Sequence, residues 1–339
     1  MATANSKTGT TYATTDWNKY QQGRPRYPPS LTKIICGYHN RHPSAKWERL
    51  IDIGGGSGIA AADFMAKFKT IHNSDPSPWN EEQARAFLSN YAEEHGLNPQ
   101  LEYSQCTGEE TWKHTGDSSA DLVIVATAAH FMDPDGLVEC AAKILRPGGT
   151  LAVYSYWNPS FPGRSQRFHE IFGKTFDRLV LQELESDDNG NNARLAKVVE
   201  RRMTGGGCLD SVPLPAEFYD DTKRVYINAE PGDIPYKYLY QRFAAPGKDV
   251  GGVSRVDERD EIVQYKTDRD VEADGWSFET KKDWFPVFFN TIRPANSKRT
   301  EDELAEAYKE WEQAFDEECP NGTVQVQWPC YLVLARRKS

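Results

Sequence analysis

The segment Leu50-Ile51-Asp52-Ile53-Gly54-Gly55-Gly56-Ser57-Gly58 passes from a compact apolar run into four glycines within five positions. It is followed by Ile59 to Phe68, where Ala, Phe and Met recur at helical spacing, so the whole reads as strand, turn and helix. Glycines accept positive φ and let a ligand approach the backbone, while amides opening a helix donate to a polar group. Asp52 is placed to hold the ammonium of a bound amino acid. A dinucleotide loop would need G-x-G-x-x-G, but Ile59 stands where the third glycine belongs. A triphosphate loop would need a lysine, and Gly58-Ile59-Ala60 has none.

Outward from the loop, strands are predicted over Thr70–Asn73, Leu101–Gln105 and Asp121–Ala126, with a helix over Asn80–His95. This is the order of βαβ units and predicts a mostly parallel sheet. Asp75 closes the second strand about twenty residues past the glycines, where a carboxylate can accept from ribose hydroxyls. It is equally placed to cap a helix through Ser74-Asp75-Pro76. Thr107, Gly108 and Glu109 follow the third strand, and Ala126, Thr127, Ala128, Ala129 and His130 end the fourth. Tips of parallel strands converge on one crevice, so a single adenosyl group could touch all of them.

A short helix is expected from Pro28, carried by Leu31, Ile34, Ile35 and Tyr38. Gly136–Leu145 reads as a helix stopped by Arg146-Pro147-Gly148-Gly149, with a strand over Thr150–Trp157. Residues 1–15 are expected to be disordered, and residues 16–157 to form the cofactor-binding core with an N-terminal helical cap. Residues 158–222, with polar glycine-bearing pieces at Asp187–Asn192 and Thr204–Gly207, are assigned to a lid over the acceptor. Residues 223–339 complete the core with strands over Arg224–Asn228 and Val324–Ala335 and helices over Trp284–Ile292 and Glu301–Phe315. Residues 231–274 are a polar excursion, whose charge run Arg255–Glu261 reads as solvated surface.

The chain resembles the fungal trans-aconitate methyltransferase-like proteins, within the Rossmann-like S-adenosylmethionine-dependent methyltransferases. The matching blocks are Tyr20 with Arg24 to Pro28, Ile51 to Gly58, Ser74 to Ser77, Ala129 to Phe131, Leu145 to Gly149, Tyr156 to Pro162 and Val326 to Trp328. The resemblance implies a seven-stranded sheet with its last strand antiparallel, helices on both faces and an acceptor pocket under a helical lid. It implies S-adenosylmethionine as cofactor, S-adenosylhomocysteine as its product and a small carboxylic acid as acceptor. Phe131 stands where a tryptophan is frequent, and the chain is longer around Val250–Asp274, so the acceptor does not carry over.

On these grounds Tyr20, Arg24, Asp52, Gly54, Gly55, Gly56 and Gly58 are assigned to the cofactor, together with Asp75, Pro76, Thr107, Gly108, Glu109, Ala126 and Thr127. Arg26, Tyr27, His130, Phe131, Trp157 and Arg164 are assigned to the acceptor. A carboxylate is already an anion and calls for a cationic clamp, with Arg24, Arg26 and Arg164 as candidates. A phenol or amine would call for a base, with His130 as the catalytic candidate, although a half-buried histidine satisfied by its neighbours is the plainer reading. Tyr20, Tyr27 and Trp157 could set aromatic faces near a sulfonium. Rival readings are O-, N- or S-methylation of a fungal secondary metabolite, a non-catalytic cofactor-binding regulator and, less well matched, a nicotinamide oxidoreductase.

Composition narrows the field further. The 339 residues include 15 Phe, 16 Tyr and 9 Trp, enough large apolar surface for one core carrying an insertion. A net charge of -10 argues against nucleic acid and anionic lipid as partners. The nearly unbroken apolar stretch Leu122–Met132 is too short for a membrane span, so a cytoplasmic protein is expected. Six scattered cysteines without a C-x-x-C pair point to reduced thiols and to no metal site.

Overall fold

The computed structural model describes residues 16–181, 209–232, 254–292 and 300–338. The expectations for residues 1–15, Asp187–Asn192, Thr204–Gly207 and most of Pro231–Val253 lie outside the described residues. The first five strands are β1 (Arg49–Ile53), β2 (Thr70–Ser74), β3 (Gln100–Ser104), β4 (Ala120–Ala126) and β5 (Leu145–Tyr156). They are followed by β6 (Tyr219–Ile227), β7 (Glu261–Tyr265), β8 (Ser277–Lys281), β9 (Thr323–Gln327) and β10 (Cys330–Arg337). Eight of these form one sheet in the order β3-β2-β1-β4-β5-β10-β6-β7, and β8 pairs with β9 separately. Within the large sheet only β10 runs against its neighbours. The sheet is therefore Rossmann-like with an antiparallel last strand, and it holds eight strands rather than seven. The additional strand is β7, which lies inside the segment expected to leave the core.

Two adjacent inner strands, β1 and β4, explain the core. Leu50, Ile51 and Ile53 of β1 and Leu122 to Val125 of β4 have no solvent exposure. Parallel strands covered on both faces carry continuous apolar runs in place of alternation, as these two do. Helices α1 (Trp17–Gln22), α2 (Pro29–Asn40), α3 (Ile59–Ala62), α4 (Pro78–Glu94), α5 (Trp112–Thr115) and α6 (Pro134–Ile144) intersperse the first five strands. Helix α4 begins at Ser77, whose hydroxyl accepts from the Asn80 amide at 3.3 Å, so Ser77 and not Asp75 is its cap.

Helix α3 ends at Ala62, well before the expected Phe68. The chain continues in turns whose amides bond three residues back, as Phe64 to Ala61 and Met65 to Ala62. These turns keep Phe64, Met65 and Phe68 buried without a continuous helix. The Arg146–Gly149 turn lies inside β5 as a bulge: Ala120 pairs with Leu145, whereas Leu122 pairs with Thr150. Gly148 absorbs the bend with φ of 79°. The single strand expected over Val324–Ala335 is two strands, because Pro329 offers no amide to a ladder and the chain changes sheets there.

Helices α7 (Gln166–Phe176), α8 (Trp284–Asn290) and α9 (Glu301–Glu318) form an aromatic cluster. Trp311 lies 4.7 Å from Phe168 and 4.8 Å from Phe285, between ring centres. A capping box starts α9, with Thr300 Oγ1 accepting from the Glu303 amide at 3.3 Å and Glu303 accepting from the Thr300 amide at 2.8 Å. The charge run is not all solvated. Asp260 is buried, and its carboxylate lies 2.6 Å from Nε of the equally buried Arg224 on β6. Sequence spacing could not reveal this pairing, because Arg224 lies 36 residues away. Cys36, Cys106, Cys140, Cys319 and Cys330 are buried and form no disulfide. Among the described residues no helix is long and apolar enough to cross a membrane.

Candidate functional site

The carboxyl ends of β1 to β5 open into one cavity of about 780 Å³. Gly54 to Ser57 line it after β1, Asp75 and Pro76 after β2, and Thr107 to Glu109 after β3. Ala126 to Ala128 and Tyr156 complete the floor from β4 and β5. Trp17, Tyr20, Arg24, Arg26 and Tyr27 form the N-terminal wall, and Asn80, Phe87, Tyr91, Glu94 and His95 of the α4 region form the wall opposite. A second groove of about 660 Å³ runs along α2 between Lys33, Trp47 and Lys67, sharing Tyr27 and Asp63 with the first. None of the strand tips contributes to that groove, so the chemistry belongs to the larger cavity.

The glycine loop is fixed by backbone geometry. Gly54, Gly56 and Gly58 have φ of 67°, 54° and 81°, the left-handed region that side chains resist. The Gly54 and Gly55 amides donate to Ser74 O at 2.8 and 3.0 Å, tying the loop to the end of β2. Asp75 then holds the next turn: Oδ2 accepts from the Gly56 amide at 3.1 Å, and Oδ1 from the Ser77 amide at 2.9 Å and Asn80 Nδ2 at 3.0 Å. Burial pushes the Asp75 carboxyl up, and these three donors oppose the shift.

Asp52 does not line the cavity. It lies under Gly55 beside Asn73, fully buried, and the Asn73 side chain makes no hydrogen bond among the described residues. Burial, and then the Asp75 carboxylate, push its carboxyl up to about 8, with the Ala61 backbone offsetting this in part. Gly58 is also outside the cavity, packed against Leu88. The other residues assigned to the cofactor all line it.

The residues assigned to the acceptor divide. Arg26, Tyr27 and Phe131 line the cavity; His130, Trp157 and Arg164 do not. His130 and Phe131 share a single 3-10 turn, Ala129–Phe131, where successive side chains point about 120° apart, so the face that presents Phe131 turns His130 into the protein. Trp157 follows Tyr156 at the end of β5, and strand alternation sends it to the other side. Arg164 instead donates to Glu318 O at the carboxyl end of α9, a favourable place for a cation. No described residue of 158–222 lines the cavity, and among the described residues its N-terminal side is closed by α1 and the Arg24–Tyr27 stretch.

Several wall residues were not read from sequence. Trp17 donates from Nε1 to Asn80 Oδ1 at 3.3 Å, bridging the two walls beside Gly56. Asn80, Phe87 and Tyr91 recur at helical spacing, a signal present in the predicted helix but indistinguishable there from an ordinary packing face. Tyr156 ends a parallel strand, where the strand-tip rule could have found it.

Two further contacts shape the N-terminal wall. The Arg24 guanidinium carbon lies 5.2 Å from the centre of Tyr20, 5.5 Å from Phe288 and 6.0 Å from Tyr156. The Tyr27 hydroxyl lies 2.8 Å from Thr127 Oγ1. Thr127 has φ of 51°, a conformation that costs a β-branched residue about 1–3 kcal/mol.

Residues 51–153 match the family of methyltransferase domains. Over its length the chain is similar to the methyltransferase cfoB of Aspergillus candidus, at 28% identity covering 99% of this chain and 100% of that protein. It is also similar to the methyltransferase ptaI of Pestalotiopsis fici, at 26% identity covering 95% and 93%. A solved candidate type II methyltransferase from Anaeromyxobacter dehalogenans superposes with a TM-score of 0.53 at 18% identity, covering 92% of this chain and 97% of that one, which supports the fold. The glycine loop held by Asp75 suits the adenosyl cofactor such domains use, since Ser57 Oγ is buried in the cavity wall with no protein partner among the described residues. A strand-tip cavity built on this loop, within a matched domain and beside full-length methyltransferase relatives, makes the chain an S-adenosylmethionine-dependent methyltransferase on a Rossmann-like sheet.

Proposed function

We propose that the enzyme methylates a carboxylate oxygen of a small acid, the acceptor class implied by the resemblance to trans-aconitate methyltransferase-like proteins. The observation that carries this reading is Arg24, a guanidinium held in the cavity wall against Tyr20, Phe288 and Tyr156. A cation fixed by aromatic faces loses little freedom on meeting an anion, and guanidinium matches a carboxylate with two parallel hydrogen bonds. Arg26 adds a second cation in the same wall, facing Asp63.

Gly54 to Ser57, Asp75, Pro76 and Thr107 to Glu109 would hold the cofactor. S-adenosylmethionine supplies, when bound, a methyl group made electrophilic by its sulfonium. The protein's part is to orient the acceptor and exclude water, and oriented attack can supply several kcal/mol. A carboxylate needs no base, which agrees with the absence of His130 from the cavity wall. Tyr20, Tyr27, Phe131 and Tyr156 give the acceptor space planar, largely apolar walls suited to a flat or ring-bearing acid.

Incubation with methyl-labelled cofactor and a panel of carboxylic acids, phenols and amines tests the reading by product mass and linkage. Labelled methyl ester supports it, and labelled ether or amine overturns it. Arg24→Met is expected to raise the acceptor KM by about tenfold or more, the scale of a hydrogen bond to a charged group.

A further inference from the structure

We propose that Tyr27 and Thr127 act together as a positioning pair, presenting one hydroxyl hydrogen to the acceptor oxygen that receives the methyl group. The proposal rests on an anionic oxygen being the acceptor, as in the function proposed above. Tyr27 arrives from the segment ahead of α2 and Thr127 from the tip of β4, and both line the cavity. Their oxygens are 2.8 Å apart across 100 residues of sequence. Each partner is held from elsewhere. The Thr127 amide donates to Tyr154 O at 2.7 Å, and the Tyr27 ring meets Tyr154 edge-on at 5.1 Å and Tyr156 at 6.0 Å.

Two hydroxyls carry two hydrogens, and the bond between them uses one. Whichever oxygen donates, one O–H is left over for a third partner. Burial pushes the Tyr27 phenol well above its ordinary value, so it keeps its proton and the pair stays neutral. A neutral donor suits an anion that must remain nucleophilic, because it orients the oxygen without neutralising it. Thr127 holds a positive φ that a β-branched side chain resists, and strain of this kind persists where neighbours impose it at a working position. In that conformation its Oγ1 meets the Tyr27 hydroxyl. Once the oxygen is methylated it accepts hydrogen bonds less well, so the same contact favours the anionic acceptor over its ester.

The test uses the full chain saturated with S-adenosylhomocysteine and 2-naphthoate as an anionic aromatic probe, titrated by calorimetry. The wild type is expected to bind 2-naphthoate, and Tyr27→Phe and Thr127→Val are each expected to weaken it by about tenfold or more. The double variant is expected to be weaker than either single one, because each single variant keeps one hydroxyl whose hydrogen is no longer aimed by its partner, whereas the double variant has no hydroxyl hydrogen to offer. Thr127→Ser, which keeps the hydroxyl, is expected to recover most of what Thr127→Val loses. Thermal unfolding without ligand reports whether each variant folds, and affinity for S-adenosylhomocysteine, measured alone, is expected to fall less than affinity for 2-naphthoate. A wild type that ignores 2-naphthoate overturns the anionic-acceptor reading and this proposal with it. A wild type that binds it while the single variants match, or while they lose S-adenosylhomocysteine equally, overturns the positioning pair alone.

Discussion

Asp75 Oδ2 accepts from the Gly56 amide at 3.1 Å, so the acid that ends β2 clamps the glycine turn that follows β1. Its other oxygen holds the first turn of α4 through the Ser77 amide and Asn80 Nδ2. One side chain thereby sets the mutual position of two strand tips and one helix start.

Asp75→Ala leaves three buried donors without their acceptor. Affinity for S-adenosylhomocysteine is expected to fall by about ten- to a hundredfold, as read by calorimetry. An unchanged affinity would show that the loop holds its shape without this clamp.

Gly54→Ala places a Cβ 2.7 Å from that of Ala128 on a residue with φ of 67°. The backbone conformation alone costs about 1–2 kcal/mol, and the contact adds to it. A lower Tm with reduced cofactor affinity is expected, and a variant with wild-type Tm would contradict this geometry.

The Asp52 carboxyl releases its proton at about 8 in the folded chain against an ordinary value of 3.8. The folded state thus holds more protons than the unfolded state between those values, and the contribution of this group to stability falls as pH rises through that window. It levels off above 8. Asp52→Asn, which imitates the protonated form, is expected to gain Tm over the wild type progressively from pH 5 to pH 8. A difference independent of pH would show that Asp52 is ionised throughout.

His130→Ala is expected to lower turnover by less than about tenfold, whereas loss of a general base costs about 10²–10⁴-fold. Steady-state rates with any acceptor found in the panel decide between the two.

The ion pair between Arg224 and Asp260 is sealed from water, and Arg224 also donates to Leu209 O at 3.0 Å and Val212 O at 2.9 Å. Asp260→Ala would strand a buried guanidinium at a cost of about 3–5 kcal/mol, measurable by denaturant unfolding. Because Asp260 lies away from the cavity, cofactor affinity of the folded fraction is expected to hold.

The strand, the glycine turn and Asp75 were legible in the sequence because each answers a local demand. Positive φ calls for glycine, central parallel strands call for unbroken apolar runs, and strand tips of such sheets gather at one edge. These demands are met within a few residues, so the order of the amino acids carries them. The antiparallel last strand came from the resemblance, and its place between β5 and β6 from the structure.

Which side chains face the cavity was decided by the tertiary structure. One position along a strand or a tight turn redirects a side chain, and so Tyr156 and Phe131 line the site while their neighbours Trp157 and His130 do not. The N-terminal helix joined the cavity wall because Trp17 reaches Asn80, 63 residues away, and Asp260 left the surface because Arg224 was waiting beneath it. Backbone conformation is set by near neighbours along the chain, whereas burial is set by whatever the folded chain brings through space, and only the latter chose the walls of this site.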